Sequence, residues 1–241
     1  MKCGLYSFCA TLGALVLTSH FASAHITIAG PAYAKGSFTG AFSVAHGCEN
    51  AAGTGMYDTS SVTIDVPSSI TSIRAVDSTL GKAVVTMSGT TVTHITWSKN
   101  QSDILSNDVD FYTLPVKMTM PDAAWTTVYF FAHQDCMDTQ GHTAHVDWVG
   151  LAGQTTALPD GAPPPEPAPN LFLLPARTPG WNKFTVTQHL TSLTMFNDAE
   201  IVWAGNAAYS VNPNYTALIG MEPNTTALTD IPAGTDIWVK Y

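Results

Sequence analysis

Basic residues are scarce. Nine Lys and Arg stand against 18 Asp and Glu in 241 residues, a formal charge of −9 at pH 7. So acidic a chain lacks the phosphate-neutralising surface that nucleic-acid binding needs, and it suits attraction of cations instead. Charged residues of either sign make up only 11%, and there is no charge run and no internal repeat. Long apolar runs are missing too. Beyond the opening segment no stretch approaches the 18 apolar residues of a spanning helix, so a membrane-spanning protein is not expected. G-x-S-x-G, Walker and H-E-x-x-H motifs are also absent. No residue set suggests turnover, and the chain reads as a non-enzyme.

Cysteine is sparse, with four in all. Two of them, Cys3 and Cys9, fall in an opening segment that reads as a signal peptide over residues 1–24. It has Lys2, an apolar stretch through Leu12, Ala14, Leu15, Val16 and Leu17, and the small residues Ala22, Ser23 and Ala24 before the cut. No cysteine sits at the cut, so no lipid anchor is expected there. Export leaves Cys48 and Cys136 as a pair in an oxidising compartment, where a disulfide is the default. It would contribute about 4 kcal/mol through the long loop it closes. A soft metal site is the alternative, which two cysteines without C-x-x-C spacing support poorly.

What is present is a series of short alternating segments separated by turn residues. "SVTIDVP" alternates Val62, Ile64 and Val66 with Thr63 and Asp65, and "KAVVTMSGTTVTHITW" reads as two strands around a turn at Ser88-Gly89. "FYTLPVKMTMP", "WTTVYFFAHQDC" and "DTQGHTAHVDWVGL" supply three more. Such spacing predicts an all-β antiparallel sandwich over residues 25–160. Five prolines between Pro163 and Pro169 then predict an extended, semi-rigid linker over 161–176. Residues 177–241 form a small α+β C-terminal extension. A short helix is expected in "QHLTSLTMF", strands in "AEIVWAG" and "TDIWVKY", and a second helix with Pro213 near its start.

Cleavage after Ala24 would make His25 the first residue of the mature chain. A free N-terminal His offers its α-amine and imidazole Nδ1 to one metal ion, and together they close a chelate ring. The amine's ordinary pKa is about 7.7–8.0, so a strongly bound divalent ion can displace its proton near neutrality. Two nitrogens in one plane suit tetragonal Cu(II). Other candidates have plainer readings. His142 and His145 flank a turn that faces solvent. Met118 and Met120 share one strand face as core residues, and His46 orders the turn before Cys48.

The segment "HITIAGPAYAKGSFTGAFSVAHGCEN" resembles the opening of the YcnI-like copper-binding domain family. The likeness runs through His25, Pro31, Ala34, Gly36 and His46-Gly47-Cys48, and continues in "SSVTIDVPSSITSIRA" and in "VYFFAHQDC" with Gln134, Asp135 and Cys136. It extends to Trp148 and to "PEPAPNLFLLP", spanning roughly residues 25–175. The tail resembles an extension found on some longer members. The resemblance implies Cu(II) held by the amine and imidazole of His25, with a carboxylate completing the site and Trp148 close by. In the family that carboxylate follows the Trp by a few residues. Here only Val149, Gly150, Leu151, Ala152 and Gly153 follow, which leaves Asp147, favoured because a hard oxygen matches the family pattern, ahead of His145 on the same strand face as the third ligand. Glu49 and Asp135 are outside candidates.

The chain therefore reads as an exported Cu(II)-binding protein of the periplasm or cell envelope, serving copper trafficking, buffering or delivery. Its expected partners are the copper ion and another copper-handling envelope protein. The alternatives are a copper-dependent oxidative enzyme with a histidine brace, and a metal-free envelope binding module.

Overall fold

The computed structural model describes residues 25–152, 154 and 165–241. The expected signal peptide, residues 1–24, and the start of the expected linker lie outside the described residues. In chain order the first strands are β1 (Thr27–Ile28), β2 (Ala32–Tyr33), β3 (Ser37–Val44), β4 (Cys48–Glu49), β5 (Met56–Asp65), β6 (Thr71–Ala75), β7 (Lys82–Ser88) and β8 (Thr91–Ser98). Then come β9 (Tyr112–Thr119), β10 (Thr127–Tyr129), β11 (Ala132–Met137), β12 (Thr143–Gly150), β13 (Glu166–Pro167) and β14 (Asn170–Leu174). The tail holds β15 (Trp181–Thr185), β16 (Ile201–Ala204), β17 (Ala207–Tyr209), α1 (Pro213–Met221), β18 (Thr226–Ala227) and β19 (Asp236–Lys240).

Two sheets form an immunoglobulin-like sandwich. One runs β1-β3-β9-β6 and the other β13-β12-β11-β5-β8-β7, with β4 paired to β5. A small sheet, β10-β14-β2, closes one side. Alternation decides which residues face inward. Val62 and Ile64 of β5 and Ile95 and Trp97 of β8 meet Phe42 of β3 and Leu114 and Val116 of β9 in one core. Each such large buried side chain contributes on the order of 2 kcal/mol. Met118 and Met120 are buried in the same core. Pairing is antiparallel throughout both large sheets except where β13 joins β12 in parallel. Gly89, at φ +61°, turns the β7–β8 hairpin in a conformation that suits glycine.

Two polar features are built into the sandwich. The Cys48–Cys136 disulfide ties β4 to β11, with Cα atoms 5.7 Å apart. Asp58 is fully buried and ion-paired with Lys99. It also accepts from the Tyr112 hydroxyl at 2.9 Å and the Leu105 backbone N–H at 2.8 Å. Burial first, and then the bond to Asp58, push the Tyr112 hydroxyl pKa far upward, so it stays a donor.

Residues 166–174 depart from the expected spacer. They form β13 and β14, which pair with β12, β10 and β2. The prolines favour extended backbone, and a strand at the sheet edge tolerates their missing donors. "WTTVYFFAHQDC" is two strands, because β10 serves the small sheet and β11 the large one. The expected helix in "QHLTSLTMF" is a single 3-10 turn over Thr194–Phe196. Of Leu190, Leu193 and Phe196 only Phe196 lies in that turn, and Leu190 instead forms a bridge with Ile231, yet all three enter the tail's core. The second helix, α1, starts at Pro213 behind an Asn212 cap that accepts from Asn214 N–H. The tail's core also takes in Trp125 and Leu174, so the extension packs on the sandwich. Arg177 reinforces that seam, lying over the rings of Tyr33 and Tyr241.

Candidate metal centre

His25 stands two residues before the start of a well-anchored strand. Ile26 is buried, and β1 pairs with β3 through Thr27 with Ser43 and Ile28 with Phe42. The imidazole meets the edge of Trp148, with ring centroids 5.6 Å apart at 60°. Its Nε2 lies 3.8 Å from Oε2 of Glu166, and both side chains are about four-tenths exposed (37% and 43%). Imidazole, indole and carboxylate thus converge at one rim of the sandwich.

Each partner has a structural reason to be there. Trp148 faces inward from β12, and its indole N–H donates to Gln134 Oε1 at 3.1 Å. Gln134 is itself fully buried, and its amide donates to the His46 carbonyl at 2.7 Å and to Thr59 Oγ1 at 2.9 Å. A satisfied buried amide of this kind locks the indole in place. Glu166 comes alongside because β13 pairs with β12, setting it opposite Trp148. Gly150 permits this approach, since a β-carbon there would stand 2.6 Å from the Pro165 carbonyl oxygen.

Asp147 and His145 are placed differently from the expected ligand set. Successive residues of a strand face opposite sides, so Asp147 points outward where Trp148 points in. Asp147 and His145 group with His133, their ligand atoms within 4.8 Å of one another, and His25 does not belong to that group. Sequence reasoning missed Glu166, the one acid in the proline-rich stretch 161–176, because prolines there predict a spacer. It also missed His133 as a neighbour of Asp147, which follows only from the β11–β12 register.

The outward group is tightly connected. His133 Nδ1–H and His145 Nε2–H both donate to Asp147 Oδ1, at 2.5 and 2.9 Å. On their other sides, His145 Nδ1 lies 2.7 Å from Asp135 Oδ1 and His133 Nε2 lies 3.4 Å from Asp65 Oδ2. Burial lowers the His133 pKa, but the bonds to Asp147 and Asp65 outweigh it and the net shift is upward. The bond to Asp135 leads the upward shift of His145, against burial and with help from Asp147. Burial raises the Asp147 pKa, yet the bonds from His133 and His145 hold it below the ordinary carboxylate value.

The fold and rim define an immunoglobulin-like β-sandwich with a His–Trp–carboxylate cluster at the start of its first strand. The chain belongs to the family described as "Domain of unknown function (DUF1775)", whose model matches residues 25–173, the family to which the YcnI-like resemblance points. No curated protein matches the chain. A similar solved structure is titled "Crystal structure of an uncharacterized protein from Nocardia farcinica reveals an immunoglobulin-like fold". It is 22% identical, with a TM-score of 0.47, over 62% of this chain and 98% of that one.

Proposed function

We propose that the chain is an exported protein that binds Cu(II) as cargo, for trafficking, buffering or delivery to another copper-handling envelope protein. The observation that carries this reading is the convergence of His25, Trp148 and Glu166. The donor chemistry fits. Once the leader is cut, His25 offers its α-amine and Nδ1 to one ion. Glu166 now faces Nε2, and a half-turn of the ring about its Cβ–Cγ bond would bring Nδ1 toward the Glu166 carboxylate, which supplies the anionic oxygen in place of Asp147 or His145. Nitrogen donors with a carboxylate suit Cu(II), the strongest binder among the first-row divalent ions. Trp148 walls the site on its buried side. Partial exposure of His25 and Glu166 leaves the other side open for transfer to a partner.

A carboxylate beside His25, instead of the second imidazole of a histidine brace, favours holding and passing on the ion over oxidative turnover. The disulfide suits the oxidising compartment that export implies. Among the described residues no helix is long and apolar enough to cross a membrane.

The test is electron paramagnetic resonance of the processed protein, starting at His25 and loaded with one equivalent of Cu(II). An axial signal altered by Glu166→Gln and untouched by Asp147→Ala is the expected result. A signal that responds to Asp147→Ala and ignores Glu166→Gln would overturn the assignment of Glu166.

A further inference from the structure

The outer face of the large sheet carries a second constellation, distant in role from His25. Alternation on four strands turns Asp65 of β5, His94 of β8, His133 and Asp135 of β11, and His145 and Asp147 of β12 to the same side. Register then sets His133 opposite Asp147, Asp135 opposite His145, and Asp65 opposite His94. We propose that His133, His145 and Asp147 form a second metal site, for a borderline divalent transition-metal ion such as Zn(II).

Two independent features point to a ligand. The first is convergence. His133 Nδ1 and His145 Nε2 are aimed at the same oxygen of Asp147 from two strands, and the three ligand atoms lie within 4.8 Å of one another. Zinc–nitrogen and zinc–oxygen bonds of about 2.0–2.2 Å need ligand atoms roughly 3.3–3.6 Å apart in tetrahedral geometry, a small adjustment from this arrangement. The second is the outer support. The nitrogen of each imidazole that faces away from Asp147 meets a separate carboxylate, Asp135 for His145 and Asp65 for His133. That is the carboxylate–histidine–metal arrangement, which orients a ligating ring and fixes which nitrogen keeps its proton.

The charge balance is equally suited. Both nitrogens of each ring face carboxylates, a pattern that only the imidazolium satisfies fully. A divalent ion entering between the rings displaces the two protons aimed at Asp147, leaves Asp65 and Asp135 bonded to the retained N–H groups, and conserves total charge. Binding therefore releases protons and weakens as pH falls. His94 lies 3.4 Å from the other oxygen of Asp65, and Lys82 of β7, paired with Ser98, adds a cation farther along the same face. Two nitrogens and one oxygen, with the three side chains between a third and a half exposed, leave an open coordination position toward solvent.

The experiment is a Zn(II) titration of the processed chain carrying His25→Ala, which removes the first site, against a chromophoric chelator at pH 7.5. One equivalent is expected to bind. His133→Ala or His145→Ala should abolish that equivalent, and Asp65→Asn or Asp135→Asn should weaken it about 10- to 100-fold. His142→Ala should leave it unchanged. Histidine ring NMR signals of His133 and His145 should shift together at one equivalent. These variants lie on a solvent-facing surface, so unchanged melting of the metal-free proteins checks the fold. No saturable Zn(II) binding in the His25→Ala chain, or binding indifferent to both His133→Ala and His145→Ala, would show the cluster to be a hydrogen-bond network only. Because His25 is absent from every arm, that outcome leaves the copper reading untouched.

Discussion

A β-carbon on Gly150 would stand 2.6 Å from the backbone oxygen of Pro165 and 3.0 Å from that of Glu166. The missing side chain is what lets β13 lie against β12 and brings the Glu166 carboxylate to His25. Gly150→Val should push β13 away, at a cost of about 1–3 kcal/mol in overpacking. Cu(II) affinity should fall with it, although no proposed ligand has been changed. A competition titration alongside thermal melting measures both. Unchanged affinity in a destabilised variant would separate β13 from the site.

Trp148 links the rim to the core, since its ring touches His25 and its N–H bonds Gln134. Trp148→Phe keeps much of the bulk and removes the donor. The buried Gln134 oxygen then loses its partner, at a cost of about 1–3 kcal/mol. Cu(II) bound at His25 should quench Trp148 fluorescence at this range. The native protein should therefore show quenching on loading that Trp148→Phe largely lacks. Equal quenching in both proteins would place the ion elsewhere.

Asp58 and Lys99 form a buried ion pair beneath the hairpins. Removing one partner leaves the other charge buried and unpaired. Asp58→Ala should cost about 3–5 kcal/mol in denaturant unfolding. Replacing both residues with apolar ones, Asp58→Leu with Lys99→Met, should recover part of that loss. A single variant that melts like the native chain would mean the pair is dispensable.

The Cys48–Cys136 bond should leave no free thiol in exported protein, as read by thiol labelling under denaturing, non-reducing conditions. Replacing both cysteines with Ala should lower stability by about 2–5 kcal/mol. The bond lies beside Gln134, whose amide holds the His46 carbonyl just before Cys48, so local loosening should reach the Trp148 indole and blur its NMR signal. Two labelled thiols in the native exported protein would remove this staple.

Much of the sandwich could be read ahead of its structure because alternation is a local signal. Val62, Ile64, Ile95 and Trp97 sit at period-two positions and all turn inward. Local signals also placed the Ser88-Gly89 turn and the helix at Pro213. What escaped depends on contacts between distant segments. Nothing local in "PPPEPAP" says that Glu166 will pair beside Trp148, because prolines mark extended backbone without naming its neighbour. The shared face of His145 and Asp147 was legible, as their spacing of two requires. Their grouping apart from His25, and the arrival of His133 opposite Asp147, follow from strand register and from the opposite orientation of Trp148. Leu190, Leu193 and Phe196 show the converse limit, where apolar spacing is correct but the core selects a single turn over a full helix.

The most direct measurement concerns the α-amine of His25. Adding one Gly before His25 leaves every side chain, including Glu166 and Trp148, in place. It converts the amine into an amide, which binds Cu(II) poorly unless it loses a proton, and it moves the new amine one residue away so that the chelate ring changes size. Cu(II) affinity of the Gly-extended and native processed chains should be compared by competition titration at pH 7, with His25→Ala as control. If the mature terminus is the chelate, the extended chain loses orders of magnitude in affinity, matches His25→Ala, and melts like the native protein when metal-free. If the extended chain binds Cu(II) as tightly as the native one and with the same spectrum, the terminal amine is no ligand and the cut before His25 does not make the site.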